Sequence, residues 1–171
     1  CEAFTYTRQT LGYAAPRGRA KLVADGAGYA GDAALPGGKY LLGAHRGDNF
    51  VFDNEKWEHA VTLQPFALAR AAVTNRQFAE FVDDNGYARR ELWSDEGWLW
   101  RTGADARAPL YWLKQPDGWH QRVYADVAAL APHAAVMHVN WYEADAWCRW
   151  AGRYRRWQWP AKPDSSRQFH L

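Results

Sequence analysis

The chain has 171 residues, 48% of them apolar, with 21 Lys and Arg against 19 Asp and Glu. That length allows one domain with a sizeable core, and a formal charge of +2 is too small to indicate a nucleic acid partner. The 11 Trp and 9 Tyr are unusual, and they predict a loop-rich interior packed largely by aromatic rings.

The sequence carries few signals of location. No apolar run approaches the roughly 20 residues that span a bilayer, and no secretory leader is visible, so we expect no membrane partner. The two cysteines, Cys1 and Cys148, have neither a disulfide framework nor metal-ligand spacing. A cytoplasmic location is therefore expected.

A short helix is predicted at Glu2–Leu11, and Gly12 follows it as a stop. The side chains expected on its apolar face are Ala3, Phe4, Thr7 and Leu11. A helix of this length is marginal in water by itself. We therefore interpret residues 1–12 as the end of a preceding helical domain.

Residues 13–36 are rich in Ala, Gly and Pro, which is typical of a linker. Within them, residues 26–31 (G-A-G-Y-A-G) have the spacing of a dinucleotide-binding glycine loop. Such a loop needs a helix after it, because the helix N-terminus receives the pyrophosphate. Pro36 would stop that helix early, so we interpret the segment as a flexible linker.

A second folded region is predicted from Gly37. Lys39–Leu42 can form a strand, and residues 59–70 alternate as a half-buried strand does, with a break at Pro65. Between them, residues 52–55 (F-D-N-E) are expected to form a polar turn.

Two capped helices are the clearest structural predictions. Thr74 with Gln77, and Asn140 with Glu143, have the three-residue spacing of a capping box. The side chains expected to face the core are Phe78, Phe81 and Val82 in the first helix and Ala144, Trp147, Cys148, Trp150 and Ala151 in the second. The pair expected on the solvent face of the second helix is Asp145 and Arg149. Between the helices, the aromatic segment 92–119 is punctuated by Gly and Pro, which predicts loops and short strands.

In this order the motifs resemble a formylglycine-generating-enzyme-like domain. The segments that carry the resemblance are G-G-K-Y at 37–40, L-G at 42–43, F-D-N-E at 52–55, H-A-V at 59–61, V-T-N-R-Q-F at 73–78, F-V at 81–82, G-Y at 86–87, L-W-S at 92–94, G-W at 97–98, P-L-Y-W at 109–112 and H-V-N-W-Y-E-A at 138–144. The resemblance implies an α+β, loop-rich domain of C-type-lectin-like fold.

Within that superfamily the chain resembles the nonheme-iron sulfoxide synthases of ergothioneine biosynthesis, whose relatives serve ovothiol and selenoneine biosynthesis. The aromatic segment and residues 2–12 carry this closer resemblance. It implies that residues 1–12 end a DinB-like helical bundle, with Glu2 as the last residue of its iron-binding H-x-x-x-H-x-E motif. Residues 37–153 then form the front half of the domain, and residues 154–171 are a divergent tail that leaves the family pattern after Gly152-Arg153.

The resemblance also implies the chemistry. The family uses iron(II) and O₂ to join a small-molecule thiol (cysteine or γ-glutamylcysteine type) to the imidazole of histidine betaine or histidine. We assign no catalytic residue and no metal ligand within this chain, so we expect it to bind no iron and to be inactive by itself. Trp93, Trp98 and Trp112 are the candidate substrate-binding residues, because aromatic faces attract a trimethylammonium group. Packing in the core is the alternative role for these rings.

Other candidate sites have plainer interpretations. The histidines at 45, 59, 120, 133, 138 and 170 include no H-x-H or H-x-x-x-H pair. Glu55 and His59 are four residues apart, but in a turn and strand where that spacing does not converge on a metal. Asp53 with Glu55 could form an acid–base pair, although a solvated turn is the simpler interpretation. His138 is expected beside a core strand as a hydrogen-bonded histidine.

Two further functions are considered beside the synthase. Cys148 lies on the predicted buried stripe, where a thiol is inert. Without a second cysteine nearby, a copper-dependent formylglycine-generating enzyme is disfavoured. A noncatalytic ligand-binding module of the same fold is the remaining alternative. Half a domain would also expose apolar strands and rings, which predicts association.

Overall fold

The structure is a computed structural model that describes residues 2–16, 27–47 and 50–153. Its contacts divide the chain into two units, one of residues 1–28 and 72–171 and the other of residues 29–71. Within the described residues, every helix is too short or too polar to cross a bilayer. The predicted tail, 154–171, lies outside the described residues.

Helices and antiparallel strands are mixed along the chain, as the expected α+β class requires. In chain order the elements are α1 (Glu2–Leu11), β1 (Asp32–Leu35), β2 (Gly38–Leu42), β3 (His59–Leu63), β4 (Phe66–Ala69), α2 (Asn75–Asp83), α3 (Asp95–Gly103), β5 (Trp112–Gln115), β6 (Gly118–Val123), β7 (Asp126–Ala129) and α4 (Trp141–Trp150). Single 3₁₀ turns lie at Asp53–Glu55, Gly86–Ala88 and Arg90–Leu92.

The unit of residues 29–71 contains two antiparallel strand pairs. β2 pairs with β3, and β1 pairs with β4. The break between β3 and β4 falls at the predicted position, Pro65. β1 lies in the segment that we interpreted as flexible linker, and it is ordered there because its peptide groups pair with those of β4 from Asp32↔Ala69 to Leu35↔Phe66. A strand thus follows the glycine-rich segment, whereas a nucleotide-binding loop is followed by a helix.

Helix α2 begins as the sequence predicts. The Thr74 N–H donates to Gln77 Oε1 at 2.9 Å, and the Gln77 N–H donates to Thr74 Oγ1 at 3.4 Å. The three predicted core residues of α2 are all buried: Phe78, Phe81 and Val82. The capping box therefore sets the start of the helix and its apolar face sets the side that packs.

Helix α4 has the predicted cap and most of its predicted core face, because Trp147 is buried and Cys148, Trp150 and Ala151 pack against the core. Ala146 and Trp147 are buried whereas Ala144 is exposed. The indole N–H of Trp147 donates to the Gln77 carbonyl of α2 at 3.1 Å and so fixes this side of α4 against α2. Asp145 and Arg149 do pair, at 3.0 Å, but the Asp145 carboxylate is buried rather than in solvent.

The aromatic segment contains a helix that the sequence analysis did not predict. Ser94 is its N-cap and accepts a hydrogen bond from the Gly97 N–H at 3.0 Å, while Asp95 and Glu96 occupy the first turn. Acidic side chains there favour a helix through its dipole. The Ser-Asp-Glu sequence was therefore a usable helix signal that the many rings and glycines obscured.

The core of the larger unit is built from aromatic rings, as predicted. Its buried members are Phe78, Phe81, Val82, Tyr87, Leu92, Trp93, Trp112, Ala146 and Trp147. Neighbouring rings are in contact along this cluster, with centroids 5.4 Å apart for both Phe78–Phe81 and Tyr87–Trp93. Such pairs add to the free energy gained from burial alone.

Helix α1 has the predicted bounds but the opposite orientation. Phe4 and Leu11 are more than half exposed, and the buried residue is Gln9, at 6%. Gln9 is buried because its side-chain amide bonds to the backbone beside β6: Nε2 donates to the Arg122 carbonyl and Oε1 accepts from the Tyr124 N–H. Hydrogen bonds, not an apolar stripe, therefore set which side of α1 packs.

Candidate functional site

A cleft of about 660 Å³ opens in the larger unit, and it has the size of a small-molecule site. Three segments line it: the end of α3 with the loop that follows, parts of β5 and β6, and the residues that lead into α4. The lining residues with chemically distinctive side chains are Trp100, Asp105, Arg107, Tyr111, Trp112, Trp119, His138, Asn140 and Glu143.

Three residues that line the cleft have left-handed backbone conformations, and one of them is Asp105 with φ 45°. Tyr111 has φ 74° and His138 has φ 61°. Bulky side chains seldom adopt this region, which costs about 1–3 kcal/mol and is found preferentially at ligand sites. The two rings are in edge-to-face contact, with centroids 4.9 Å apart. Two of the three residues with this backbone conformation, Tyr111 and His138, are therefore in contact at the cleft.

The His138 imidazole is surrounded in a way that disfavours its charged form. Burial lowers the pKa of His138, and the nearby positive charge of Arg122 lowers it further. His138 is thus a neutral imidazole at physiological pH, able to accept or donate one hydrogen bond. We expected a hydrogen-bonded histidine beside a core strand; His138 is instead an exposed residue that lies against Tyr111 in the lining of the cleft.

Glu143 supplies a buried carboxylate to the same cleft. It is 3% exposed, and burial raises its pKa even though hydrogen bonds from Tyr87 and the Asn140 backbone act in the other direction. The Tyr87 hydroxyl donates to Glu143 Oε1 at 2.6 Å, and the Asn140 N–H donates to Oε2 at 2.7 Å. The carboxylate is therefore held rigidly on the side of α4 that faces the core.

The three candidate tryptophans occupy different environments. Trp93 is 2% exposed in the core, where its indole N–H donates to the Gly86 carbonyl. Trp98 lies between two guanidinium groups, Arg90 at 5.7 Å and Arg101 at 5.4 Å from its ring centroid. Neither lines the cleft. Trp112 does, and its buried Nε1 has no hydrogen-bond partner among the described residues.

Residues that we did not single out complete the aromatic lining. Trp100 and Trp119 join Trp112, and the Trp112 and Trp119 ring centroids are 5.6 Å apart. Both lie in the aromatic segment, but nothing in their spacing separates them from packing rings. Tyr111 likewise has no local signal for its left-handed backbone.

The donors in the described residues do not form an iron site. No group of three His, Cys, Asp or Glu side chains converges within residues 2–16, 27–47 and 50–153. In the smaller unit, Glu55 and His59 line a separate hollow of about 430 Å³ beside Lys56, without a third donor among the described residues. Glu2 is the first residue of α1, and its side chain lies outside the described residues. The described part of the chain therefore does not fit an iron centre.

The remaining nucleophile candidate, Cys148, is half-buried on α4. Burial raises the pKa of its thiol, and the negative charge of Asp145 raises it further. Since the thiolate is the reactive form, Cys148 is held in its unreactive state.

Comparison with known proteins gives consistent similarities. The profile of the sulfatase-modifying factor enzyme 1-like domain matches residues 23–162. A hercynine oxygenase of Mycolicibacterium thermoresistibile is 39% identical over 114 residues, which cover 66% of this chain and 25% of that protein. The hercynine oxygenase of Mycolicibacterium smegmatis is 37% identical over 127 residues, covering 73% and 29%.

Formylglycine-generating enzymes are also similar to the chain. The enzyme of Thermomonospora curvata is 33% identical over 137 residues, which cover 72% of this chain and 44% of that protein. The chain thus spans about a quarter of the length of the hercynine oxygenases that it matches.

Proposed function

The chain belongs to the sulfatase-modifying factor enzyme 1-like domain family, and from this premise we propose that it is part of a sulfoxide synthase of ergothioneine biosynthesis. The observation that carries the proposal is the similarity to hercynine oxygenases at 33–39% identity in three mycobacterial species. The proposed reaction joins a thiol to the imidazole of histidine betaine or histidine with O₂, one oxygen atom entering the sulfoxide and the other leaving as water.

In this proposal the cleft binds part of a substrate. Trp112 keeps the proposed substrate-binding role, since it lines the cleft beside Trp100 and Trp119. Aromatic faces together with the Glu143 carboxylate suit an organic cation such as a trimethylammonium group. Trp93 and Trp98 support the site indirectly. Trp93 packs in the core, and the ring of Trp98 makes cation–π contacts with two arginines.

The iron(II) that the reaction uses would be bound by residues other than those described here. The activity is therefore a proposal about the whole protein that contains this sequence, and this chain alone is expected to be inactive.

The test assays the product of the complete gene with iron(II), air, histidine betaine and either cysteine or γ-glutamylcysteine. Mass spectrometry is expected to detect the sulfoxide, and chelation of the iron is expected to abolish it. Absence of the sulfoxide with both thiols and with histidine would reject the proposal. In parallel, anaerobic titration of the 171-residue chain with iron(II) is expected to give no stoichiometric binding; a tight one-to-one complex would contradict the assignment of iron ligands outside it.

A noncatalytic binding module is the second candidate, and the cleft favours it because its aromatic and carboxylate lining needs no metal. Calorimetric binding of histidine betaine to this chain without iron would support that function. The synthase activity of the complete gene product decides between the two.

A further inference from the structure

The end of helix α1 is fastened to the residues beside β6 by three hydrogen bonds. Two come from the Gln9 side-chain amide, which pairs with the Arg122 carbonyl at 3.2 Å and the Tyr124 N–H at 2.7 Å. The third runs the other way, from Arg122 Nη1 to the Gln9 carbonyl at 2.7 Å. The Gln9 side-chain amide therefore pairs with the backbone at the end of β6 as the peptide group of a neighbouring strand would.

Arg122 also stabilises the end of the helix. The Gln9 carbonyl belongs to the last turn of α1, where it also accepts a hydrogen bond from the Gly12 N–H at 3.3 Å and where the helix dipole is negative. A guanidinium there acts as a tertiary C-cap. Gly12 allows the close approach, because a Cβ at that position would lie 3.1 Å from Arg122 Nη1.

The same guanidinium reaches the cleft. Its carbon lies 4.3 Å from the centroid of the Tyr111 ring, a close cation–π contact. The Tyr111 ring in turn touches His138, and both of these residues line the cleft with left-handed backbones. A continuous series of contacts thus joins α1 to the cleft through Arg122 and Tyr111.

We propose that Arg122 is a positioning residue that couples the docking of α1 to the conformation of Tyr111 and His138 at the cleft. When α1 is docked, the Gln9 carbonyl fixes the guanidinium, and the guanidinium fixes the Tyr111 ring against His138. By linkage, a ligand that binds the docked arrangement of the cleft also strengthens the docking of α1. This coupling does not depend on the proposed reaction.

The test follows the 171-residue chain by NMR, with the Tyr111 and His138 ring resonances as the readout at the cleft and amide exchange as the readout in α1. The key variant is Gln9→Ala, which removes the docking bonds of the side chain but leaves the Arg122 charge in place. We expect α1 amides to exchange about tenfold faster or more, and the Tyr111 and His138 resonances and the His138 titration midpoint to shift. Thr10→Ala, at an exposed position of the same turn, is the matched control and is expected to leave the cleft resonances unchanged.

A second pair of variants separates position from charge. Arg122→Met is expected to shift the same resonances and to raise the His138 titration midpoint, because a positive charge is lost. Arg122→Lys keeps the charge but loses the planar guanidinium that lies over the Tyr111 ring while its Nη1 bonds to the Gln9 and Tyr124 carbonyls, so we expect α1 exchange to stay fast. Two results would overturn the coupling: faster α1 exchange in Gln9→Ala with unmoved cleft resonances, or wild-type cleft resonances in Arg122→Lys while α1 exchange stays fast.

Discussion

Gly86 lies directly against the ring of Phe81, a residue that is 0% exposed in the core. A Cβ added at Gly86 would fall 2.0 Å from Phe81 Cε2. The glycine is required here by the closeness of the ring, since Gly86 lies in the 3₁₀ turn that follows α2 and carries Tyr87 into the core.

We therefore expect Gly86→Ala to destabilise the protein by about 1–3 kcal/mol, as overpacking of a core does. Gly103→Ala is the matched control: Gly103 ends α3, and its added Cβ would meet nothing within 4 Å. That variant is expected to be neutral or stabilising by about 0.5 kcal/mol, because alanine restricts the unfolded chain. Urea unfolding measures both, and equal effects of the two substitutions would contradict the steric explanation.

The buried carboxylate of Glu143 predicts a pH dependence of stability. Burial raises its folded-state pKa above the ordinary value of 4.5, so between 4.5 and the raised pKa the folded state binds more protons than the unfolded state. The free energy of unfolding contributed by Glu143 then falls as the pH rises through that interval. We expect the stability of the wild type relative to Glu143→Gln to decrease as the pH rises from 4.5.

Glu91 is the control, because its contribution to stability depends on pH in the opposite direction to that of Glu143. The hydrogen bond from Arg89 lowers the pKa of the exposed Glu91, so its contribution is present above 4.5 and is lost as the pH falls through the lowered pKa. Urea unfolding of Glu91→Gln is followed below pH 4.5 and that of Glu143→Gln above pH 4.5. The stability of the wild type relative to the variant is expected to rise with pH in the first case and to fall with pH in the second. Parallel slopes would show that the Glu143 environment is not the cause.

At the scale of elements, each helix from α2 to α4 begins at a side-chain cap, and the caps are local. Thr74, Ser94 and Asn140 each accept a hydrogen bond from the N–H three residues on. Which face of a helix is buried is not local, because α4 is oriented by the bond from Trp147 to α2 and α1 by Gln9.

Ser94→Ala is expected to destabilise the protein by about 1 kcal/mol, since the Gly97 N–H loses its acceptor at the start of α3. Ser94→Asp, which keeps an acceptor oxygen and adds a favourable charge at the helix start, is expected to retain most of that stability. Urea unfolding and the exchange rate of the Gly97 amide measure the effect. A loss as large with aspartate as with alanine would show that capping is not the role of Ser94.

At the scale of the whole molecule, burial is unevenly distributed between the two units. All the buried apolar residues of the described chain lie outside residues 29–71. That smaller unit presents Leu41, Leu42 and Leu68 at 58–69% exposure on two strand pairs. Two-stranded pairs without a covered face are marginally stable in water, and exposed apolar strands favour association.

Amide hydrogen exchange rates are therefore expected to differ between the residues before and after about residue 72. Amides of α2 and α4 should exchange only by global opening, whereas those of β1 to β4 should exchange many-fold faster. Mass spectrometry of peptides from each region measures the difference, and a series of protein concentrations shows whether association protects the strands. Equal protection of both regions in the dilute protein would contradict this account.

The sequence by itself determines several features of this protein. The bounds of α1, the capping boxes of α2 and α4, the break at Pro65 and the membership of the family are all readable from neighbours a few positions apart, because caps, turns and motifs are short-range features. The sequence also singled out Trp112, although without a reason to prefer it over Trp93 or Trp98.

The tertiary structure decided the candidate site. Gln9 and Arg122 are 113 positions apart, and the left-handed Tyr111 and His138 come together from separate loops. Contacts between distant segments determine which tryptophan faces the cleft and which side of a helix is buried. They also determine which carboxylate is removed from water. Those contacts depend on packing and on paired hydrogen bonds across the fold, so no local pattern of residue types specifies them.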